Sequence, residues 1–217
     1  MADFSEMRRR MVRTQLSSRG IRNPAVLEAM AEVPREQFVF PQLRELAYRD
    51  APLPIGEDQT ISQPYMVALM AEALEPEPTD RVLEVGTGSG YGAAVLSCIA
   101  REVYTIERNE TLAKTARQHL AELGCTNVYV AAGDGTLGWP EHAPYDGIVV
   151  TAGGPVIPEA LQEQLAVGGR LVIPIGPELT MQDLVRVHKI DRDTYRRETL
   201  GEVRFVPLIG KAGWPES

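Results

Sequence analysis

The chain is short of the residues that metal, redox and membrane chemistry require. Only two cysteines occur in 217 residues, Cys98 and Cys125, and they form no C-x-x-C pair. That argues against a disulfide scaffold or a thiolate zinc site and fits a reducing cytoplasm. Three histidines, His119, His142 and His188, stand at no metal-ligand spacing, so no metal is expected. No apolar run approaches the roughly 18 residues a membrane span needs, and no secretory apolar core is visible. Positive charge is scarce too. Lys plus Arg number 22 against 30 Asp plus Glu, a net charge of -8, which disfavours a phosphate-backbone footprint. The local run Arg8, Arg9, Arg10 and Arg13 reads as a solvated helix face. The expectation is a cytoplasmic monomer without a nucleic-acid or membrane partner.

What the chain does contain is an α/β pattern. Through residue 78 it reads as a helical extension: Phe4, Met7, Met11 and Leu16 recur at helical spacing, and Asn23-Pro24 starts a second helix ending at Val33-Pro34. Pro41, Pro52, Pro54 and Gly56 make 41–60 an irregular connection, long enough to be functional. Met66, Leu69, Met70, Ala73 and Leu74 then form an amphipathic stripe. From Asp80 strands and helices alternate. Strands are expected at 81–85, 102–106, 127–131, 146–151 and 170–175, with helices at 91–100, 110–123 and 157–166, the last closed by Gly168-Gly169. Two further strands, 184–190 and 200–206, follow around the turn Asp191–Thr194. The fold class is thus a Rossmann-like, doubly wound, mostly parallel sheet with an N-terminal helical extension and C-terminal antiparallel strands, in a single domain.

The run from Val82 to Gly92, VLEVGTGSGYG, identifies the ligand class. Gly86 and Gly88 follow a strand, as in a dinucleotide fingerprint, but Tyr91 occupies the third glycine position. Glu84 would also set a negative charge beside a pyrophosphate. A carboxylate there suits a cofactor with a cationic end, such as S-adenosylmethionine. No G-K-[ST] follows, which excludes a P-loop. Glu107 follows the second strand, 17 residues after Gly90, near the offset of a ribose clamp. Asp134, between Gly133 and Gly135, is placed to accept from the adenine amine. The segment after the fourth strand, Thr151–Pro155, lacks the [DNS]-P-P-[YFW] loop of base-amine methyltransferases.

The acceptor becomes legible in DAPLPIGEDQTISQPYM at 50–66, with MVRTQLSSRGI at 11–21 and VRFVPL at 203–208. Together with VPREQF at 33–38, YTIER at 104–108, GDG at 133–135, GWPEHAPYD at 138–146 and GGRLVIPIG at 168–176, they resemble protein-L-isoaspartate O-methyltransferase. The likeness covers nearly the whole chain. It implies a class I methyltransferase that moves a methyl group from S-adenosylmethionine to the α-carboxylate of isoaspartyl residues in damaged proteins and peptides. It further implies Ser62 as the active-site serine. Gln59, Thr60 and Ile61, with Glu84, Gly86, Thr87, Gly88, Glu107, Arg108, Asp134 and Gly135, would surround the cofactor. Ser62, Tyr65, Val206 and Pro207 would meet the substrate.

The residue chemistry agrees. A carboxylate with an ordinary pKa near 4 is already a nucleophile at neutral pH, so no strong base is needed, and 50–66 contains no histidine. The site's tasks are alignment and exclusion of water. Ser62, just before Pro64 and a helix, is expected to form an anion site with the neighbouring free N–H groups, whether or not it also caps the helix. VRFVPL is expected to offer an extended edge to a peptide. Two departures from the family pattern stand out. Asp58 replaces the usual Gly before Q-T-I-S, and Gly153-Gly154 stand where Ala-Ala is usual, which is expected to loosen that loop. Two rival readings remain. One is a modifier of Asp in a dedicated peptide, disfavoured because the chain stops soon after VRFVPL. The other is a cofactor-binding module without transfer, disfavoured by the intact Ser62, Glu84, Glu107 and Asp134.

Overall fold

The computed structural model describes residues 3–216. Its first helix, α1 (Phe4–Met11), is capped by Asp3, whose carboxylate accepts the Glu6 N–H at 3.0 Å. The helix runs on through a π-helical turn, burying Met11 and Leu16. Asn23 caps α2 (Pro24–Glu32) through the Ala25 and Val26 N–H groups, with Pro24 in the first turn where no donor is missed. The 41–60 connection is not irregular throughout. Its second half is a hairpin, β1 (Leu53–Gly56) against β2 (Gln59–Ile61). The two residues between them, Glu57 and Asp58, both have positive φ, 52° and 55°, the requirement of a two-residue hairpin turn whose twist matches its strands. Helix α3 (Pro64–Leu74) follows.

Next come β3 (Arg81–Val85), α4 (Tyr91–Ser97), β4 (Glu102–Glu107), α5 (Glu110–Glu122), β5 (Val128–Ala132) and β6 (Tyr145–Val150). After a short α6 (Glu159–Glu163), the chain closes with β7 (Leu165–Ile175), β8 (Gln182–Lys189) and β9 (Tyr195–Val203). The seven strands lie in the order β5-β4-β3-β6-β7-β8-β9. The first five are mutually parallel; β8 and β9 are antiparallel. The sheet is built outward from β3 in two directions, so the crevice between β3 and β6 is the switch point where such sheets bind ligands.

Period-two alternation sets the faces. Val82 belongs to the core that joins the sheet to the N-terminal helices through Met11, Met30, Tyr91 and Val95. Leu83 and Val85 belong to the opposite core with Ile148, Leu171 and Val185. Glu84 shares the face of Val82 and therefore points at α4.

The sequence expectation fails at 157–166. Only Glu159–Glu163 are helical, and Leu165 already pairs with Tyr145 as the start of β7. Gly168 and Gly169 lie inside that strand instead of closing a helix. Two contacts explain the early stop. Leu165 is fully buried in the sheet core, and Lys189 reaches from β8 to cap the carbonyls of Gln162, Glu163 and Leu165 at 3.2, 3.3 and 2.8 Å. The final strand also runs earlier than its pattern implied, 195–203 instead of 200–206, which frees residues 204–209 for another task.

Candidate active site

The glycine loop leaves β3 with Gly86, Gly88 and Gly90 all at positive φ. Gly86 is required twice over. Its φ is +95°, and a Cβ there would sit 2.3 Å from Thr151 Oγ1, which donates to the Gly86 carbonyl at 2.7 Å. Tyr91, in the third glycine position, opens α4 with its ring buried edge-on against Phe38 at 5.5 Å. A tyrosine stands there because the loop must also hold the N-terminal extension.

Glu84 is buried beneath the loop, 1% exposed. Thr105 donates to its Oε2 at 2.6 Å, and Thr87 shares a 2.6 Å hydrogen bond with Thr105. Gly92 is present because a Cβ would lie 2.3 Å from Glu84 Oε1. Burial pushes the Glu84 carboxyl up to about 8; the Thr105 hydrogen bond opposes the rise and nearby Glu107 adds to it. Among the described residues no cation lies within 4.0 Å of it.

Glu107, at the end of β4, accepts the N–H of Gly88 at 2.8 Å and of Asn109 at 2.9 Å. The Glu107 carboxylate is thereby aimed by backbone donors, with lone pairs left over on both oxygens. Arg108 lines the same cavity and pairs with Glu216. Asp134 is placed differently from the expectation. It does not line the cavity; its Oδ1 accepts the Thr136 N–H and hydroxyl, and its Oδ2 the Lys211 N–H at 2.8 Å. Burial raises its pKa, but these donors and the charge of Arg108 outweigh that and hold it below the ordinary carboxylate range. Its neighbour Gly135 does line the cavity. Asp134 ties the C-terminal segment to the turn that follows β5.

From the linker, Gln59, Thr60, Ile61 and Ser62 line the same cleft of about 190 Å³, opposite Glu84 and the glycine loop. The hairpin is tied to the turn after β4: Glu57 accepts from Asn109 Nδ2 at 3.0 Å. Ser62 does not cap α3. The cap position is Gln63, without a side-chain bond, and among the described residues the Ser62 hydroxyl has no hydrogen-bond partner. The set of free N–H groups is smaller than expected: Asp50 accepts the Tyr65 N–H at 3.2 Å, Met66 donates to Gln63 O, and Pro64 has no N–H. The helix terminus already holds an anion of its own. Tyr65 is likewise not in the cleft; its ring lies under Arg19, 3.6 Å from guanidinium to centroid. Serine and tyrosine, three residues apart, leave the helix start in different directions.

Val206 and Pro207 line the cleft with Leu208 and Ile209. The strip is held by Gly153, whose N–H donates to Val206 O at 2.7 Å and whose carbonyl accepts Leu208 N–H at 2.8 Å. That side of VRFVPL is therefore spent on the protein's own backbone. Gly153-Gly154 does not loosen the loop. All four of its backbone groups are bonded, Gly154 to Pro174 and Gly176, and a Cβ on Gly153 would lie 2.8 Å from Gln182 Cδ. Thr151, Tyr91 and Asn109 also line the cleft without being expected there; Tyr91 lies inside the glycine run and Asn109 directly follows Arg108.

Known proteins resemble this chain over nearly its whole length. The family model for protein-L-isoaspartate(D-aspartate) O-methyltransferase matches residues 6–213. Protein-L-isoaspartate O-methyltransferase 2 of Pelobacter propionicus is 63% identical over 204 residues, covering 94% of this chain and 91% of that one. A solved protein-L-isoaspartate O-methyltransferase superposes with a TM-score of 0.85 at 33% identity, over 94% of this chain and 67% of that one. A Plasmodium falciparum relative, solved in complex with S-adenosyl-L-homocysteine, superposes with a TM-score of 0.78 at 26% identity, over 92% and 96%.

Proposed function

The chain belongs to the protein-L-isoaspartate O-methyltransferase family, and on that premise we propose roles for its site residues. It transfers a methyl group from S-adenosylmethionine to the α-carboxylate of L-isoaspartyl residues in damaged proteins and peptides. The adjacent backbone nitrogen then attacks the ester, releases methanol and closes a succinimide, whose hydrolysis returns some normal aspartate.

The donor set fits a cationic cofactor. Glu84 is a buried carboxyl without a counter-cation, and Glu107 stands beside it on the cleft wall. S-adenosylmethionine, when bound, supplies the electrophilic methyl carbon. In our assignment Glu84 faces its cationic end and Glu107 takes the ribose hydroxyls. Gly86, Thr87 and Gly88 supply the close-packed loop, and Gln59–Ile61 and Arg108 wall the cleft. Gly135 lies against the cofactor side while Asp134 holds that wall from behind.

The acceptor carboxylate needs orientation more than activation. The observation that carries its placement is the Ser62 hydroxyl, free of protein partners on the wall facing the glycine loop. As a neutral donor it aligns a carboxylate oxygen with the methyl carbon without neutralising it. Val206 and Pro207 bound the peptide on the other side. We further infer a cytoplasmic monomer that works without nucleic acid or membrane, a reading supported by the charge of -8 and the two free cysteines; no helix among the described residues is long and apolar enough to cross a membrane.

The test uses labelled methyl donor and paired peptides differing only in Asp versus isoAsp. Base-labile label on the isoAsp peptide alone is expected; label on both, or on neither, would sink the repair assignment.

A further inference from the structure

The segment VPREQF contributes a residue that the assignment above leaves unused. Arg35 is fully buried, 0% exposed, the largest side chain so sealed among the described residues. Its Nε donates to Ala47 O at 2.7 Å and its Nη2 to Ser62 O at 2.8 Å. The guanidinium lies 4.8 Å over the ring of Tyr91, at the start of the helix that follows the glycine loop. Nη1 has no hydrogen-bond partner. Among the described residues no carboxylate lies within 4.0 Å of it.

That combination is costly. Buried arginines are ordinarily paired, because removing a guanidinium from water without a counter-charge is unfavourable. The nearby acids are spent elsewhere: Asp50 on Arg19 and the Tyr65 N–H, Glu36 on Tyr48 and Arg8. The Ser62 backbone, meanwhile, is gripped by the fork of Arg35 while its hydroxyl stays free. A lysine could not hold two carbonyls in the same fixed geometry.

We propose that Arg35 is a positioning residue for the acceptor, holding the Ser62 backbone in place and supplying the uncompensated positive charge that favours an anionic carboxylate at Ser62. This deepens the assignment of Ser62 above and rests on it. The substrate completes the charge balance that the protein leaves open. The neutral methyl ester does not, so the same charge favours product release over product retention.

Two variants and two ligands test this. The ligands are an isoaspartyl peptide and its α-carboxamide analogue, each titrated against enzyme saturated with S-adenosylhomocysteine. Arg35→Lys keeps the charge and loses the fork. Its kcat is expected to fall at least about tenfold while the carboxylate-to-carboxamide affinity ratio stays within about threefold of wild type. Arg35→Met loses both, and the ratio is expected to drop about tenfold, the order of effect of one charge several ångströms away at an effective dielectric near 20. S-adenosylhomocysteine affinity should stay within about threefold in both. A merely structural role would lower stability without moving the ratio. Wild-type kcat in Arg35→Lys, or a wild-type ratio in Arg35→Met, overturns the proposal. If Arg35→Met does not fold, the kcat of Arg35→Lys decides alone. Failure of the repair assignment is seen separately, as equal labelling of Asp and isoAsp peptides by the wild-type enzyme.

Discussion

Replacing Glu84 by Gln removes a carboxyl buried to 1% exposure on the cleft wall, and its expected consequences for stability and binding have opposite signs. In the folded protein the carboxyl titrates at about 8, against an ordinary value of 4.5. The native state therefore keeps a proton that the unfolded chain releases on passing pH 4.5. Wherever the native state binds more protons, stability falls as pH rises. The fall spans pH 4.5 to about 8 and, at 1.36 kcal/mol per pH unit, amounts to about 5 kcal/mol. Glu84→Gln is isosteric and does not titrate, so it should match wild type near pH 5 and exceed it by roughly 3 kcal/mol at pH 7. Urea unfolding of the cofactor-free protein between pH 5 and 8 reads this directly. Binding runs the other way. A cationic donor requires the Glu84 anion, so wild-type affinity for S-adenosylmethionine should rise by up to about tenfold per pH unit between 5.5 and 7.5. The variant should bind more weakly at pH 7.5 with a flat profile, measured by titration calorimetry. Parallel stability curves for the two proteins would refute the reasoning, because Glu84 would then be ionised in the free enzyme.

Ser62→Ala should lower methyl transfer to an isoaspartyl peptide about 100-fold, the usual loss for one oriented donor, with S-adenosylhomocysteine affinity within about threefold; full turnover would reject Ser62 as the acceptor's donor. Asp58→Gly relieves one left-handed residue in the hairpin turn and should stabilise the protein by about 1 kcal/mol in urea unfolding, with a lowered midpoint counting against the turn assignment. Lys189→Met strips the donor from three carbonyls at the end of α6 and the start of β7 and should cost about 1–3 kcal/mol with kcat unchanged; an unaltered urea midpoint would show that water replaces the ammonium there.

Much of the site was legible because it is local. The glycine run, Glu84 and Glu107 lie next to strand ends, and strand parity alone aims Glu84 at α4. What failed did so through contacts between distant segments. Asp134 reads as a free acceptor until Lys211, 77 residues on, is seen to occupy it. Ser62 reads as a helix cap until the cap position is seen to be Gln63 and Asp50 is found on the Tyr65 N–H. The helix at 157–166 has an adequate local pattern, but Leu165 gains more by entering the sheet beside Tyr145.

The sequence by itself determined the doubly wound fold and the class of methyl donor, because alternation, glycine spacing and strand-end carboxylates are short-range properties of the chain. Only the tertiary structure decided which polar groups remain unspent. Hydrogen-bond capacity is shared among residues remote in sequence, and a group consumed by one partner is closed to a ligand. That accounting removes Asp134 and Tyr65 from the cleft wall, leaves the Ser62 hydroxyl free, and finds Arg35 sealed behind it without a counter-charge.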